Sequence, residues 1–453
     1  MLGRGDRAAG DVESGTPEPR AAKLLLLGVC LAAAALLYEP AFNLGLLSDD
    51  FVLRAEGRTG EAFRVRDGRF YRPLASFLIG SWSPWLLHAA VIALHGANAW
   101  LVRQLGRAMG AARGTALAAA GLFLTFPAAV EAVGWISGIQ DVLFATLALL
   151  FVLAWRLRLD ALTHGTLVLV LQVLGLATKE TATAFPLLGL AAWAFSPRLP
   201  TRRAALLAGL SGAAAVVYAL WRTGGSGLPE AYAQPLSRYL LKEILVRTFG
   251  ALAAPWHELL GPVGKTLGIV AGILFPLLLV ANTRVWLTHR ARLERALRFA
   301  ALVLVPVAPV YSMLFIAPNL EGSRYVYAAA AGWTLLVAEL FATATGSLRS
   351  GRWIGITAAV AWMATSAGAT RAHLGPWQEA ARARDRALRS AQRVVRDAGC
   401  QAMVVQAPPD SVDGAYVFRS GLEQALGLPL AATTPAQTRR CVLSWNGRRF
   451  AVR

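Results

Sequence analysis

Residues 23–51 read KLLLLGVCLAAAALLYEPAFNLGLLSDDF, an apolar run that ends in two adjacent carboxylates, Asp49 and Asp50. Crossing a bilayer core takes about 20 apolar residues, so the stretch 23–42 is predicted to span a membrane. The two aspartates beside it have two interpretations. They belong to a solvated loop or helix N-cap, in which Ser48 and the carboxylates accept from free N–H groups, or they form a catalytic site at a membrane surface.

The composition is that of a membrane protein. Hydrophobic residues make up 56% of the 453 positions, and the mean hydropathy of +0.49 exceeds that of a soluble domain. The formal net charge is +19, but most basic residues lie between apolar stretches and in the tail, where membrane orientation and anionic head groups account for them. The excess of arginine over lysine, with abundant alanine, leucine and glycine, indicates a GC-rich, bacterial genome. We therefore expect the lipid bilayer as a partner and no nucleic acid.

The apolar stretches predict an all-α polytopic membrane protein with about eleven transmembrane helices. The predicted spans are 23–42, 84–105, 114–131, 140–157, 163–178, 182–196, 203–221, 266–288, 299–317, 325–345 and 353–370. The fifth and sixth are short and closely spaced, so a re-entrant pair is an alternative there. Cys30 lies inside the first span and is expected to be a small core residue.

Basic residues occupy every second connection, which predicts the orientation of the chain. The predicted inner segments carry Arg4, Arg7, Arg20, Lys23, Arg103, Arg107, Arg113, Arg156, Arg158, Arg198, Arg202, Arg203, Arg284, Arg290, Arg292, Arg295, Arg298, Arg349 and Arg352. Residues 1–22 then form a disordered cytoplasmic N-terminus. The first span is expected to be an uncleaved anchor, since no small-residue cleavage site follows it. An odd number of spans places the C-terminus outside, in the periplasm of a bacterium whose inner (cytoplasmic) membrane holds the protein.

Residues 373–453 are predicted to form a small periplasmic α/β domain. Its predicted elements are a helix from Trp377 to Val395, a buried strand at 400–408 and a hairpin at 441–452 with a type I′ turn at Asn446-Gly447. Outside the cell, Cys400 and Cys441 are either joined by a disulfide or remain two separate buried thiols.

Polar residues of both signs recur at the predicted outer turns of the membrane part. They are Asp49, Asp50 and Arg72 in the first outer loop (43–83), then Glu131, Asp141, Lys179, Glu180, Glu321, Arg324 and Tyr325. A short turn between spans must be polar because its backbone needs hydrogen bonds, so any one cluster is tolerated without a function. Acids and bases together on one face, opposite an inner face that carries mainly arginine, favour a site.

These residue types suit sugar transfer from a lipid phosphate. A carboxylate acts as general base toward an acceptor hydroxyl, and cations bind a phosphate and stabilise its charge as it leaves. Nucleotide sugars are not available outside the cell, so a membrane-bound lipid carrier is the expected donor. The sequence contains no P-loop, no GxGxxG after a strand and no HExxH. Its histidines and three cysteines lack the spacing of a metal site.

Six segments occur in an order that resembles a known family. They are LLSDDF (46–51), YRPLASF (71–77), HAAVIALHGANAWLV (88–102), EAVGWISGIQDVLFATLALL (131–150), TKETATAFPLL (178–188) and SRYVY (323–327). The order is similar to that of the polytopic C-type (GT-C) glycosyltransferases, above all the transmembrane and tetratricopeptide-repeat O-mannosyltransferases and their bacterial relatives. The resemblance covers 24–345 and indicates a GT-C-like transmembrane domain over 23–372.

The resemblance implies inverting transfer from a polyprenyl-phosphate sugar, with an acidic residue of the first outer loop as catalytic base. Asp49 is the expected base, with Asp50 as its support or as the alternative base, and the expected phosphate contacts are Arg72, Lys179 and Arg324. The residues expected to line the site are His88, His95, Asn98, Glu131, Asp141, Glu180, Glu321 and Tyr325. The first three share one helix face, so they line the site or pair between helices. No cofactor is required, and a divalent metal is left open.

The chain also departs from the family. The tetratricopeptide repeats are absent, which leaves open whether the acceptor is a glycan, a lipid or a protein. Phe126 and Ala129 stand where histidines often precede EAV, and Ser323 stands where an acid precedes RYxY, so the donor sugar is open as well.

Two other functions are alternatives. A transporter or flippase of a lipid-linked or anionic solute would place charges near the bilayer midplane and show internal repeats; here the charges cluster at one surface and no repeat is evident. A non-catalytic partner in envelope glycan assembly fits the same residues. Changing Asp49 and Asp50 to asparagine separates an enzyme from both alternatives.

Overall fold

The computed structural model describes residues 18–64, 72–194, 199–223, 237–255, 261–345, 351–400, 402–427, 440–447 and 449–452. These residues are mostly helical, with a small sheet region near the C-terminus. The α-helices are α1 (Arg20–Leu37), α2 (Asp49–Thr59), α3 (Pro73–Ser81), α4 (Pro84–Ala108), α5 (Arg113–Leu124), α6 (Val130–Gly134), α7 (Ile139–Ala154), α8 (Ala161–Thr178), α9 (Phe185–Ala194), α10 (Thr201–Thr223), α11 (Arg238–Ala253), α12 (Gly261–Thr288), α13 (Arg290–Val307), α14 (Tyr327–Thr345), α15 (Gly351–Ala398) and α16 (Leu422–Leu426).

Short 3-10 turns lie where the long helices break or meet. They are Glu39–Asn43, Glu61–Phe63, Pro127–Ala129, Ile136–Gly138, Glu180–Ala184, Ala308–Met313 and Ser323–Val326. Several begin with proline at the first or second position, because proline suits the first turn of a helix but interrupts the one that precedes it.

Seven helical segments of the described residues are long and apolar enough to cross a membrane. They are Arg20–Leu37, Pro84–Ala108, Ile136–Ala154, Ala161–Thr178, Thr201–Arg222, Gly268–Thr288 and Ser323–Ala344. An eighth candidate is the pair Arg113–Leu124 and Pro127–Gly134, which is bent by 52° and forms a broken span or a re-entrant loop. The chain is therefore a multi-pass helical membrane protein, which confirms the prediction from composition.

Three of the eleven predicted spans do not meet the same conditions of length and composition. The span 182–196 is a 3-10 turn followed by the ten-residue helix α9. The span 299–317 covers the end of α13 and the 3-10 turn Ala308–Met313, and 353–370 is the first part of α15. The count of eleven stays a prediction.

Small residues allow the central helices to pack closely. Helix α4 packs against α1, α5 and α7, while α14 packs against α13 and α5. A side-chain carbon at Gly96 of α4 would lie 2.9 Å from the Cys30 carbonyl oxygen, so only glycine permits this approach of α4 to α1. Cys30 itself is buried, as predicted.

The C-terminal sheet has three strands, β1 (Ala402–Gln406), β4 (Arg440–Trp445) and β5 (Phe450–Val452), and β2 (Ser411–Val412) pairs separately with β3 (Ala415–Tyr416). Strand β1 runs parallel to β4, and β4 runs antiparallel to β5. A disulfide joins Cys400 to Cys441, with a Cα–Cα distance of 5.7 Å, so the first of the two predicted alternatives holds.

The turn between β4 and β5 differs from the prediction. Trp445 pairs with Phe450, and the Asn446 N–H donates to the Arg449 carbonyl (3.2 Å), so Asn446 and Gly447 are not the two central residues of the turn. The Asn446 side chain also accepts a bond from the Arg449 N–H (3.0 Å), which is local side-chain bonding typical of asparagine in turns.

Helix α15 joins the membrane part to the sheet without a break, so the predicted domain boundary at 372–373 lies inside one helix. At the other terminus α1 already begins at Arg20, which shortens the segment predicted to be disordered. Residues 1–17, part of the first outer loop (65–71), and the orientation-determining Arg198 and Arg349 lie outside the described residues.

Candidate active site

Asp50 anchors the start of α2 to the turn before α7. Its side chain is 0% exposed. One carboxylate oxygen accepts from the Leu47 N–H (2.8 Å), and the other accepts from the Ser137 N–H (2.7 Å) and the Ser137 hydroxyl. Burial raises the pKa of Asp50 to about 7, although the bonds from Ser137 and Leu47 oppose that change. The carboxylate of Asp50 therefore holds the start of α2 against the turn that carries Ser137.

Asp49, one residue earlier, lies in a different environment. Its side chain is partly exposed, and its carboxylate accepts a hydrogen bond from the Ser420 hydroxyl of the C-terminal domain. Ser48 occupies the N-cap position of α2 with φ 47°, but its side chain makes no capping hydrogen bond, so the capping interpretation does not hold for its hydroxyl. The Ser48 N–H instead donates to the Val417 carbonyl (2.9 Å), and its hydroxyl accepts from the Ser420 N–H (3.3 Å).

Arg72 stands just before α3 and binds two other turns. Its guanidinium contacts both carboxylate oxygens of Glu180, at 2.7 and 3.2 Å, and also the side-chain oxygen of Gln140. A bidentate pair of this kind fixes the arginine plane as well as its charge. Both side chains of the pair are 17% exposed, so the pair reaches the surface.

Lys179 lies deeper. Its ammonium pairs with the Asp141 carboxylate, and it stands 5.1 Å from the centre of the Tyr325 ring. The lysine side chain is only 4% exposed. Lys179 is therefore the least accessible of the three expected phosphate contacts.

Arg324 is the most accessible of the three expected phosphate contacts, with 20% of its side chain exposed. Its guanidinium lies 3.4 Å from Glu131 and packs 4.7 Å from the centre of the Trp135 ring. Glu131 also accepts from the Arg324 N–H (3.2 Å) and from the hydroxyl of Tyr416 (3.1 Å). Aromatic faces hold the guanidinium by cation–π attraction, and one of its N–H groups also donates to the Tyr325 hydroxyl (3.4 Å).

These contacts lie at helix ends and 3-10 turns that pack against one another, and we call their residues together the carboxylate–arginine network. It consists of Asp49, Asp50, Arg72, Glu131, Ser137, Gln140, Asp141, Lys179, Glu180, Arg324, Tyr325 and Tyr416. Its members come from helix ends and 3-10 turns, where free backbone groups and broken packing leave room for polar side chains.

His88, His95 and Asn98 are buried residues of α4 that are not members of this network. The His88 ring nitrogen contacts the Gly45 carbonyl (3.3 Å), while His95 contacts the Tyr327 hydroxyl (2.8 Å) and Asn98 donates to the Val142 carbonyl (3.1 Å). His95 and Asn98 are 0% exposed. Of the two predicted alternatives, the structure shows pairing between helices for these two, and His88 supports the loop that leads to Asp49.

The C-terminal domain packs directly onto the loop before α2. Arg384 of α15 donates to the carbonyls of Leu44 (2.5 Å) and Leu46 (2.7 Å). Gly45, between them, has φ +69°, and a side-chain carbon there would lie 2.7 Å from the same guanidinium. Arg419 pairs with Glu321 at 2.6 Å, which places that predicted residue at the domain contact.

Several members of the site were not among the predicted residues, notably Ser137, Gln140, Arg384, Tyr416 and Ser420. Ser137 and Gln140 lie inside the WISGIQD segment, so their position next to Asp141 was a usable signal. No sequence signal pointed to Tyr416 or Ser420. Tyr416 is 285 residues away in the chain from Glu131, and Ser420 is 371 residues away from Asp49.

Within the described ranges, no group of three or more histidine, cysteine, aspartate or glutamate side chains is arranged to hold a metal ion.

Fold and contacts together define a multi-pass helical membrane protein whose small C-terminal sheet domain packs onto a polar network of helix ends and 3-10 turns. Comparisons with models of known protein families and with curated proteins found no match for the chain.

Proposed function

We propose that the protein is a GT-C-like glycosyltransferase that moves a sugar from a polyprenyl-phosphate carrier to an acceptor hydroxyl at the extracytoplasmic face of a bacterial inner membrane. The observation that carries the proposal is the division of the aspartate pair. Asp50 is sealed by Leu47 and Ser137, whereas Asp49 beside it is partly exposed and lies in the same network as accessible arginines.

In the proposed reaction, the acceptor oxygen attacks the anomeric carbon from the face opposite the phosphate, which inverts that carbon. The bond between the anomeric carbon and the phosphate oxygen breaks, and the phosphate keeps the electron pair. Asp49 takes the proton of the acceptor hydroxyl. Arg324, and then Arg72, stabilise the charge on the leaving phosphate, because both are more exposed than Lys179.

In the proposed reaction, Asp50 positions other residues and does not take part in proton transfer. A carboxylate that links Leu47 to Ser137 holds the loop before α2 against the turn that carries Trp135, and the Trp135 ring packs on Arg324. The base, Asp49, and the phosphate contact, Arg324, are thereby both held against the same turn. A transfer between two substrates requires such a fixed geometry.

Sugar transfer by the full chain in neutral-lipid nanodiscs, supplied with a panel of radiolabelled polyprenyl-phosphate sugars and envelope extracts as acceptors, tests the proposal. We expect Asp49→Asn to lower the transfer rate at least about 100-fold with an unchanged thermal unfolding temperature. Asp413→Asn removes an exposed carboxylate of the C-terminal domain and is the matched control, expected to stay within about twofold of the parent rate. Transfer that survives Asp49→Asn in a folded protein would falsify the assignment of the base.

A further inference from the structure

Helix α15 carries a row of arginines on the face that points away from the rest of the protein. The row, which we call the arginine stripe, consists of Arg382, Arg386, Arg389, Arg393 and Arg396, and all five are exposed. Steps of four and three residues keep a helical face aligned. The opposite face carries the fully buried Ala380, Ala387 and Ala391, so the direction of the stripe is set by packing.

The stripe is not neutralised by its surroundings. Glu379 lies 3.8 Å from Arg382, and Asp385 pairs with the neighbouring Arg384 at 2.7 Å. In the described part of the chain, the other four arginines of the stripe have no carboxylate within ion-pair distance. Asp397 at the end of the helix is exposed and lies at the edge of the stripe.

The stripe lies beyond the end of the predicted span 353–370. Arg371 pairs with Glu39 just after α1 (3.4 Å), whereas Arg384 contacts Leu44 and Leu46 further along the same loop. Helix α15 and this loop therefore run side by side away from the end of α1. At 1.5 Å per residue, the stripe begins about 18 Å and ends about 39 Å along α15 from residue 370, where the predicted span ends.

That distance distinguishes two possible anionic partners, lipid head groups and acidic glycans. Head groups extend only about 5–8 Å beyond the hydrocarbon core, and charges are screened over about 8 Å at physiological ionic strength. Measured from the end of the predicted span, the whole stripe lies beyond this range, so lipid head groups are not the partner that its position favours. The disulfide between Cys400 and Cys441 indicates an oxidising compartment, where the polyanions within reach are acidic glycans.

We propose that the arginine stripe is a docking surface for an acidic polysaccharide chain of the cell envelope, bound along the length of α15. The surface is independent of the sugar transfer proposed above, since none of its residues contacts the carboxylate–arginine network. A polymer with repeated negative charges complements arginines repeated every three or four residues and releases counterions on binding, as other polyanions do.

The test uses the full chain in neutral-lipid nanodiscs with fluorescent dextran sulfate as the probe, and dextran as the uncharged polymer of the same backbone. We expect the unmodified chain to bind dextran sulfate and not dextran. The variant Arg386→Gln, Arg389→Gln, Arg393→Gln should bind about 100-fold more weakly, because each arginine at an anionic surface changes affinity about fivefold. For this variant, the slope of log affinity against log salt concentration should be less negative by about two to three.

The matched control removes the same charge elsewhere. Arg64→Gln, Arg202→Gln, Arg290→Gln changes three exposed arginines outside the stripe and should weaken binding less than about threefold. An equal loss in the control variant would mean that net charge alone binds the polymer, and it would overturn the proposal.

The bilayer alternative has its own outcome. The same binding is measured in nanodiscs that contain 30% anionic lipid by design. If the stripe lies beyond the lipid surface, the affinity of the unmodified chain for dextran sulfate stays within about twofold of its value in neutral nanodiscs. If anionic lipid weakens binding by the unmodified chain more than about tenfold and does not weaken binding by the stripe variant, lipid covers the arginines and the assignment to a glycan is overturned.

Discussion

The Ser420 hydroxyl donates a hydrogen bond to the Asp49 carboxylate, and so links the C-terminal domain to the expected catalytic loop across 371 residues of chain. The contact is reinforced by main-chain and hydroxyl bonds between Ser48 and the segment that carries Val417 and Ser420. A side-chain carbon at Gly421, where φ is +79°, would lie 2.5 Å from the Ser48 carbonyl oxygen. The C-terminal domain is therefore part of the candidate site.

We expect Ser420→Ala to lower sugar transfer about tenfold, because the Ser420 hydroxyl holds the Asp49 carboxylate in place. The measurement is the transfer rate at pH 7 together with the thermal unfolding temperature. Ser390→Ala is the control: its hydroxyl accepts from the Phe450 N–H at 2.9 Å, so it tests damage to the domain alone. An equal loss of transfer in both variants would contradict a direct role for Ser420.

The buried Asp50 predicts a pH dependence of stability. Its pKa is raised to about 7 in the folded protein, so between about pH 4 and 7 the folded state holds a proton that the unfolded state has lost. Stability is then greatest at the acidic end and falls as the pH rises through this window, by up to about 1.4 kcal/mol per pH unit.

The thermal unfolding temperature from pH 4 to 8 measures this effect. Asp50→Asn, which cannot ionise, should remove this part of the slope, while Asp49→Asn should keep it. Identical slopes in the parent and in Asp50→Asn would show that Asp50 does not titrate in that window.

The ion pair between Arg324 and Glu131 should combine a structural role with a binding role. Arg324→Gln alone leaves the Glu131 carboxylate buried without its cation, so the unfolding temperature should fall, and the KM for the lipid-phosphate donor should rise about tenfold or more. The double variant Arg324→Gln, Glu131→Gln should regain stability and keep the high KM.

A matched pair separates these two effects. Arg295 and Glu339 lie 2.8 Å apart with exposures of 19% and 6%, close to the 20% and 3% of Arg324 and Glu131, but toward the opposite end of α14. Arg295→Gln should lower the unfolding temperature and leave the donor KM within about twofold. A donor KM that rises in both single variants would indicate a general loss of structure.

The predicted orientation can be measured by cysteine labelling in intact cells. Gln424→Cys lies on the exposed surface of the C-terminal domain, and Ala112→Cys lies in an exposed connection that the arginine pattern places inside. A membrane-impermeant maleimide should label Gln424→Cys directly and Ala112→Cys only after permeabilisation. Cys400 and Cys441 should react only after reduction, and the reverse pattern for the two new cysteines would invert the assigned orientation.

Much of the membrane architecture was predictable because the signal is local. Burying about 20 apolar residues in hydrocarbon is a property of each segment by itself, and seven of the predicted spans coincide with long apolar helices of the described residues. The break at Pro127 was not predicted. The sequence suggested a re-entrant pair near 163–196, whereas the 52° bend lies between Leu124 and Pro127, where proline removes a backbone donor.

The sequence by itself determined which residues could form a site. Asp49, Arg72, Glu131, Lys179 and Arg324 occur at the ends of apolar stretches, and charged residues are tolerated there because the cost of burial falls toward the membrane surface.

Only the tertiary structure decided what each of them does. Neighbouring residues of a helix point about 100° apart, so Asp50 faces Ser137 in the interior while Asp49 faces Ser420 and the surface. Each expected cation proved to have a carboxylate partner in another segment. Such pairing depends on distances in space between segments far apart in the chain, and no local pattern of residues contains that information.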